Sequence, residues 1–194
     1  MVAKRLKSIG VVLMVVFLLG SGAAHAVAAE FHSDTSSTGI EATQLNTHVF
    51  KSTAGEVTCA SALYKGIAIF KTFSSVTLSP FWSECHITAL GKVAGTTTGN
   101  GCSYTFYAGG TVDINCPAGK QIEFNAAGCH ITIPAQTGLK AVSYSTVGSH
   151  IDISMSLSEV RYNHSGFLCG TGGGTNGTQT GALTAEGNSK LWYA

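Results

Sequence analysis

The stretch "IDISMSLS" at residues 151–158 constrains the fold more than any other segment of the chain. Apolar side chains at positions 151, 153, 155 and 157 alternate with polar ones, and a period of two is typical of a strand with one buried face. Similar segments recur along residues 47–145, separated by turn sequences such as "AGG", "PAGK" and "NAAG". The pattern predicts one all-β domain over residues 40–194, an antiparallel sandwich or flattened barrel of about nine to eleven strands.

The first 26 residues have the order of a secretory signal peptide. A basic start precedes an uncharged apolar run from Ile9 to Leu19, and Ala24-His25-Ala26 fits the cleavage pattern. The apolar run has about 11 residues, whereas a membrane-spanning helix needs roughly 20. We therefore predict cleavage after Ala26, no membrane insertion of the mature chain, and a flexible segment over residues 27–39.

The charge of the exported part excludes two classes of partner. All ten acidic residues follow the signal segment, which itself carries three of the eleven basic residues, so the mature chain has a formal charge of −2. The mature chain has neither a basic patch nor a run of charge, and this argues against nucleic acid or an anionic membrane surface as its partner.

The six cysteines all lie after the signal segment, and an even number in an oxidising compartment favours three disulfides. The loop Ala108–Gly110 predicts a hairpin that pairs Tyr104 with Ile114 and places Cys102 opposite Cys116, within disulfide reach. Both cysteines could instead cross the core to a second sheet. Of the three ways to pair the remaining four, we choose Cys59–Cys85 and Cys129–Cys169.

The tetrapeptide "CHIT" occurs twice, at residues 85–88 and 129–132. Since adjacent residues of a strand point to opposite faces, the cysteine and histidine of one pair cannot share a metal ion. In the second copy, a loop over Asn125–Gly128 would set Phe124 opposite Cys129, and Cys129 and Ile131 would face the core.

A weaker alternative is a metal site between the two copies. If the two strands are neighbours, His86 and His130 stand side by side on the outer face and could bind zinc or copper, with His164, His48 or a carboxylate as third ligand. Two solvated histidines are the simpler interpretation, and we predict no metal and no cofactor.

The candidate binding residues are the aromatic pair Phe81 and Trp82 in "SPFWSE". They follow Pro80 between two predicted strands, and aromatic side chains presented in loops can stack on sugar rings or anchor a protein partner. Trp82 could alternatively plug the end of the sandwich. The glycine-rich stretch over residues 170–181 is predicted to be a flexible connection before a final strand.

The order "GNGCSYTF … GTVDINCPAGK … I…C.I.IP.Q" resembles a group of uncharacterised exported six-cysteine proteins from high-GC Gram-positive bacteria. The similar part runs roughly from Thr58 to Gly181 and is densest from Asn100 to Gln136. The resemblance implies bacterial export and an all-β fold, and it brings no activity, ligand or catalytic residue with it.

Enzyme motifs are missing from the sequence, which has neither a G-x-S-x-G elbow, nor an HExxH pair, nor a phosphate loop. We predict a non-enzymatic secreted or cell-surface protein that binds an envelope component, such as a glycan, or another protein. Two alternatives stay open: a structural or self-assembling surface protein, and a secreted hydrolase without a recognisable motif. The ligand and the oligomeric state are not specified by the sequence.

Overall fold

The structure, a computed structural model, describes residues 28–88 and 92–194. This part of the chain is all-β, as predicted, and its strands are β1 (Phe31–Ser33), β2 (Thr38–Ser52), β3 (Gly55–Ala68), β4 (Thr72–Phe73), β5 (Ser75–Ile87), β6 (Val93–Thr98), β7 (Ser103–Tyr107), β8 (Thr111–Asn115), β9 (Ile122–Ala126), β10 (Cys129–Ile133), β11 (Gln136–Lys140), β12 (Val142–Val147), β13 (His150–Ser165), β14 (Gly172–Gly187) and β15 (Leu191–Tyr193). The expected nine to eleven strands were too few, because strands of two or three residues are too short to show an alternating pattern. The predicted signal segment 1–26 lies outside the described residues.

Five long strands run through the whole molecule, namely β2, β3, β5, β13 and β14. Towards one end they are joined by β6, β9 and β10 in the order β5–β3–β2–β14–β13–β10–β9–β6. The ring closes because β6 pairs with both β9 and β5. We call this eight-stranded antiparallel barrel the closed half. Of the two predicted architectures, sandwich and flattened barrel, the structure therefore has the barrel.

The other end, called here the capped half, uses different partners for the same five strands. The first residues of β5 pair with β7, β8 follows β7, and β11 pairs with β8, while β12 pairs with the first part of β13. Where β11 faces β13, the buried side chain of Gln136 makes the connection: its Oε1 accepts from the backbone N–H of Arg161 at 2.8 Å, and its Nε2 donates to the carbonyl of Arg161 at 3.3 Å. The side-chain amide thus takes the place of a peptide group.

A three-stranded sheet of order β15–β1–β4 covers the end of the capped half. Phe31 of β1 points inward, is only 2% exposed, and contacts the rings of Phe73, Tyr144 and Tyr193 with centroid distances of 4.8–5.7 Å. The predicted flexible segment 27–39 is therefore wrong over most of its length. Its apolar residue Phe31 finds a buried site that only the complete barrel provides.

Three disulfides cross-link the barrel: Cys59–Cys85, Cys102–Cys116 and Cys129–Cys169. These are the pairs chosen from the sequence. Cys59 and Cys85 are direct partners in the ladder between β3 and β5, and Cys102 and Cys116 flank the hairpin of β7 and β8. The disulfide Cys129–Cys169 ties the start of β10 to the loop between β13 and β14.

The two hairpins that were derived from the sequence differ in outcome. For β7 and β8 the register is as predicted, with Tyr104 opposite Ile114. For β9 and β10 the predicted register is wrong by two residues, since Phe124 pairs with Ile131 and the turn is tighter than the expected loop. A shift of two residues leaves every side chain on its predicted face, so Cys129 and Ile131 are buried.

The glycine-rich stretch is part of β14 and not a flexible connection, which corrects the prediction for residues 170–181. Its glycines leave room for large neighbours: a Cβ at Gly181 would lie 2.7 Å from the ring of His48, and one at Gly177 would lie 3.0 Å from the ring of Tyr162. Across the described ranges, the chain has no helix long and apolar enough to cross a bilayer.

Candidate functional site

Trp82 and Phe81 are adjacent on β5 and point to opposite sides of the barrel wall. Trp82 faces the interior, where its ring contacts those of Tyr64, Tyr104 and Phe124 at centroid distances of 5.9–6.2 Å. The hypothesis that Trp82 is an exposed binding platform is therefore wrong. Trp82 lies within β5 and not in a loop between strands, and it packs in the interior because strand alternation directs one of two neighbouring aromatic residues inward.

Polar groups accompany these rings inside the barrel. Tyr104 is fully buried, and its hydroxyl donates to Oε1 of Gln179 at 2.9 Å. Burial raises the pKa of Tyr104, because the phenolate would lose its hydration. Tyr64, 5.5 Å from Tyr104 between ring centroids, is also fully buried, and its hydroxyl has no hydrogen-bond partner among the described residues.

His48 is the one ionisable imidazole that lies in this interior cluster. It lies on β2, at the end of an irregular stretch that begins after Thr43, where the pairing of β2 with β3 shifts register. Its ring packs against Gly181. Its side chain is 3% exposed, and neither ring nitrogen has a hydrogen-bond partner within the described residues. Burial lowers the pKa of His48 to about 4, so the imidazole is neutral at pH 7.

The space left between these side chains is small. His48, Trp82, Tyr104 and Gln179 line a cavity of about 20 Å³, which has room for one water molecule. Pockets that bind small molecules typically measure about 300–1,000 Å³. The interior is therefore a packed core with a polar centre, and this cavity is too small for a ligand of that size.

The outer surface around Phe81 carries an apolar patch, which we define by Phe81, Leu63 and Leu45. Phe81 is 58% exposed and Leu45 is 56% exposed. Phe81 is the direct cross-strand partner of Leu63 on β3, and Leu45 lies in the irregular part of β2 that follows the pair Thr43–Leu63. Because Trp82 is fixed in the core, the direction of its neighbour Phe81 is fixed as well.

The two candidate metal-binding histidines are not neighbours, so the two-histidine site is a wrong prediction. His86 on β5 and His130 on β10 are separated by β6 and β9, and three strand spacings amount to about 14 Å. His130 instead lies 3.8 Å from the carboxylate of Glu123. His48, considered as a third ligand, is inside the barrel. Within residues 28–88 and 92–194, no group of three or more His, Cys, Asp or Glu side chains is arranged to hold a metal ion.

A second exposed apolar feature was missed in the sequence. Ile67, Ile69 and Phe70, at the end of β3 and in the loop to β4, are 62–65% exposed. We call these three residues the apolar tip. In the sequence they belong to the run "GIAIF" at residues 66–70. The sequence feature that could have identified this exposed surface is the close succession of three large apolar residues after the regular alternation of β3 ends.

No protein-family model matches this chain, and comparisons with curated proteins and with solved structures find no similar protein.

Proposed function

We propose that this chain is an exported, non-enzymatic protein that binds an envelope component or a protein partner at the cell surface. The observation that carries the proposal is the outer patch of Phe81, Leu63 and Leu45. An exposed phenylalanine costs free energy in water, and burying such a side chain in an interface recovers about 1.5–3 kcal/mol. Large aromatic side chains dominate the energetics of many interfaces.

The support for a binding surface at this place is its rigidity. Phe81 stands on β5 directly opposite Leu63 of β3, and the disulfide Cys59–Cys85 joins the same two strands nearby. The other side of β5 pairs with β7 up to Leu78 and with β6 from Cys85 onward. A side chain held on a strand keeps its position better than one on a loop. Three disulfides are also typical of extracellular proteins, which supports export.

The alternative of a self-assembling surface protein has less support, since assembly through strand pairing needs an accessible edge. The edge strands β4 and β15 of the cap sheet have two and three residues. The outer edge of β12 is engaged by hydrogen bonds between Thr146 and the backbone of Tyr193 at 2.8 and 3.1 Å.

The test is a retention assay with isolated cell envelopes from which the lipid has been extracted. Purified protein from Val27 onward, which contains every described strand, is incubated with envelopes and compared with Phe81→Ser and Phe167→Ser. Phe167 is the matched control, because it is also an exposed phenylalanine (85% exposed) but lies in the loop between β13 and β14. We expect Phe81→Ser to lower retention at least fivefold and Phe167→Ser to leave it unchanged.

Two results would contradict the proposal. Equal retention of the wild type and Phe81→Ser would exclude the outer patch as the contact. Loss of retention in Phe167→Ser alone would place the contact at the loop between β13 and β14. Far-ultraviolet circular dichroism of each variant confirms that the fold is retained.

A further inference from the structure

The cap end of the barrel carries a second surface, which is separate from the patch around Phe81. The apolar tip forms one side of a groove of about 490 Å³ that also includes Glu30, Thr72 and Phe73. Three exposed large apolar side chains in four consecutive residues are a concentrated apolar surface, and such surfaces mark interaction sites. The kind of partner that covers this apolar surface is inferred from the groups around it.

The outer face of the cap sheet continues this surface with an aromatic residue. Thr72, His32 and Trp192 lie in one row across β4, β1 and β15. The ring of Trp192 stacks on His32 with centroids 5.1 Å apart, and Nζ of Lys190 lies 5.6 Å from the centre of the Trp192 ring. Tryptophan and lysine beside an exposed apolar surface are typical of groups at a membrane–water interface.

The N-terminal part of the chain enters the fold at this same end. The backbone of Glu30 exchanges two hydrogen bonds with Ala194, at 2.7 and 3.0 Å, and Glu30 lines the groove beside the tip. The apolar run Ile9–Leu19 precedes the described part by eight residues, numbers 20–27. Eight extended residues span at most about 29 Å. If the run acts as the predicted signal segment, the tip is thus held within a short distance of the bilayer while the run is in the membrane.

We infer that the cap end docks on a lipid bilayer, with Ile67, Ile69 and Phe70 inserted among the acyl chains and Trp192 at the headgroup level. Docking continues after the signal segment has been removed, because it depends on side chains of the folded domain. It is a shallow contact with the membrane surface and involves no membrane-spanning segment, but it departs from the prediction that the mature chain does not insert into a membrane. It concerns a different face from that of Phe81, so the inference does not rest on the proposed function.

The experiment measures binding of the chain from Val27 onward to vesicles of phosphatidylcholine by flotation. The wild type is compared with the triple variant Ile67→Ser/Ile69→Ser/Phe70→Ser. We expect the partition into vesicles to fall by at least tenfold in the triple variant, since membrane affinity scales with the buried apolar area. The matched control, Leu45→Ser/Phe81→Ser/Phe167→Ser, removes the same number of exposed apolar residues away from the cap sheet and should leave the partition unchanged.

A second readout follows the loop itself. In Phe70→Trp, the added indole should shift its fluorescence to shorter wavelength on addition of vesicles and should be quenched by brominated acyl chains. The inference is overturned if the wild type does not float with vesicles, or if the triple variant floats equally well. It is also overturned if the tip instead drives self-association in analytical ultracentrifugation, which would identify a second copy of the chain as the occupant. We expect Phe81→Ser to bind vesicles as the wild type does. This result would show that binding to vesicles and retention by cell envelopes depend on different faces of the protein.

Discussion

The closed half and the capped half of the barrel contain the same five long strands but are held together in different ways. The closed half is a continuous ring of backbone ladders that is reinforced by Cys59–Cys85 and Cys129–Cys169. The capped half depends on the side chain of Gln136 at one join and on a three-stranded cap built around Phe31. Backbone pairing closes a ring regardless of sequence detail, whereas side-chain closure depends on single residues.

The two halves also differ in the surfaces that we propose for binding. The patch around Phe81 lies on two long strands, β3 and β5, which pair directly at Leu63 and Phe81 and are joined by Cys59–Cys85. The apolar tip lies at the end of β3 and in the loop to β4, next to the cap, where strands are short. We therefore expect the patch to be the more rigid surface and the tip to adapt to a soft one.

The largest expected effect tests the reinforcement of the closed half. Cysteines 129 and 169 are 40 residues apart, and a loop of this length corresponds to a contribution of about 4 kcal/mol in the chain-entropy model. We expect Cys129→Ser/Cys169→Ser to lower the free energy of unfolding by about this amount, measured by urea unfolding of the oxidised protein. The double variant Cys102→Ser/Cys116→Ser, with a separation of 14 residues, should lose about 3 kcal/mol. The reverse ranking of the two variants would show that chain entropy does not determine the contribution.

A smaller effect concerns the interior between the two halves and depends on pH. The pKa of His48 is about 4 in the folded chain and 6.5 in the unfolded chain. Between these values the unfolded chain binds a proton that the folded chain does not. Stability is therefore complete above pH 6.5 and decreases as the pH falls towards 4, by about 3 kcal/mol in total. No carboxylate or basic side chain lines the cavity beside His48, so this titration belongs to His48 itself.

The measurement is the urea midpoint of the wild type and of His48→Leu from pH 7.5 to 4. We expect the wild type to lose stability relative to His48→Leu below pH 6.5, and the carboxylates common to both proteins cancel in the difference. Parallel curves for the two proteins would show that His48 is accessible to protons in the folded state.

The smallest of the three effects tests the side-chain join of the capped half. Gln136→Leu leaves the backbone N–H and carbonyl of Arg161 without the partners they have in the folded chain. An unpaired buried polar group costs about 1–3 kcal/mol, and we expect a loss of about 2 kcal/mol. The amide of Arg161 should also lose its protection in hydrogen exchange. Gln121→Leu, at a partly exposed position, is the control and should change stability by less than about 0.5 kcal/mol. Unchanged protection of Arg161 would mean that β11 and β13 stay together without the glutamine.

Part of the fold could be derived from local patterns. The alternation in residues 151–158 and in the segments before them identified strands and their buried faces. In the hairpin of β7 and β8, the pattern also fixed the register, because a short loop and two apolar faces leave one good pairing. The same reasoning gave the wrong register for β9 and β10, since a turn of two or four residues keeps the same faces.

Other features could not be derived, because they depend on neighbours distant in sequence. Phe31 was assigned to a flexible segment, since the residues around it are polar and its buried site is built by β4, β12 and β15. In the sequence, the glycines of β14 are typical of a linker. Only the structure shows that the rings of His48 and Tyr162 pack against them. Phe81 and Trp82 were predicted together as binding residues between two strands, and only the structure shows that they belong to β5 and face opposite sides of it.

By itself, the sequence determined that the chain is all-β, which faces of most strands are apolar, and which parts have the pattern of a signal segment. The tertiary structure decided that the sheet closes into a ring, that His86 and His130 are separated by two strands, and that the apolar tip lies beside the entry of the N-terminal chain. The physical reason is that alternation specifies the two faces of a strand but not its neighbours. Strand order comes from long-range pairing and from how the large side chains fill the interior together.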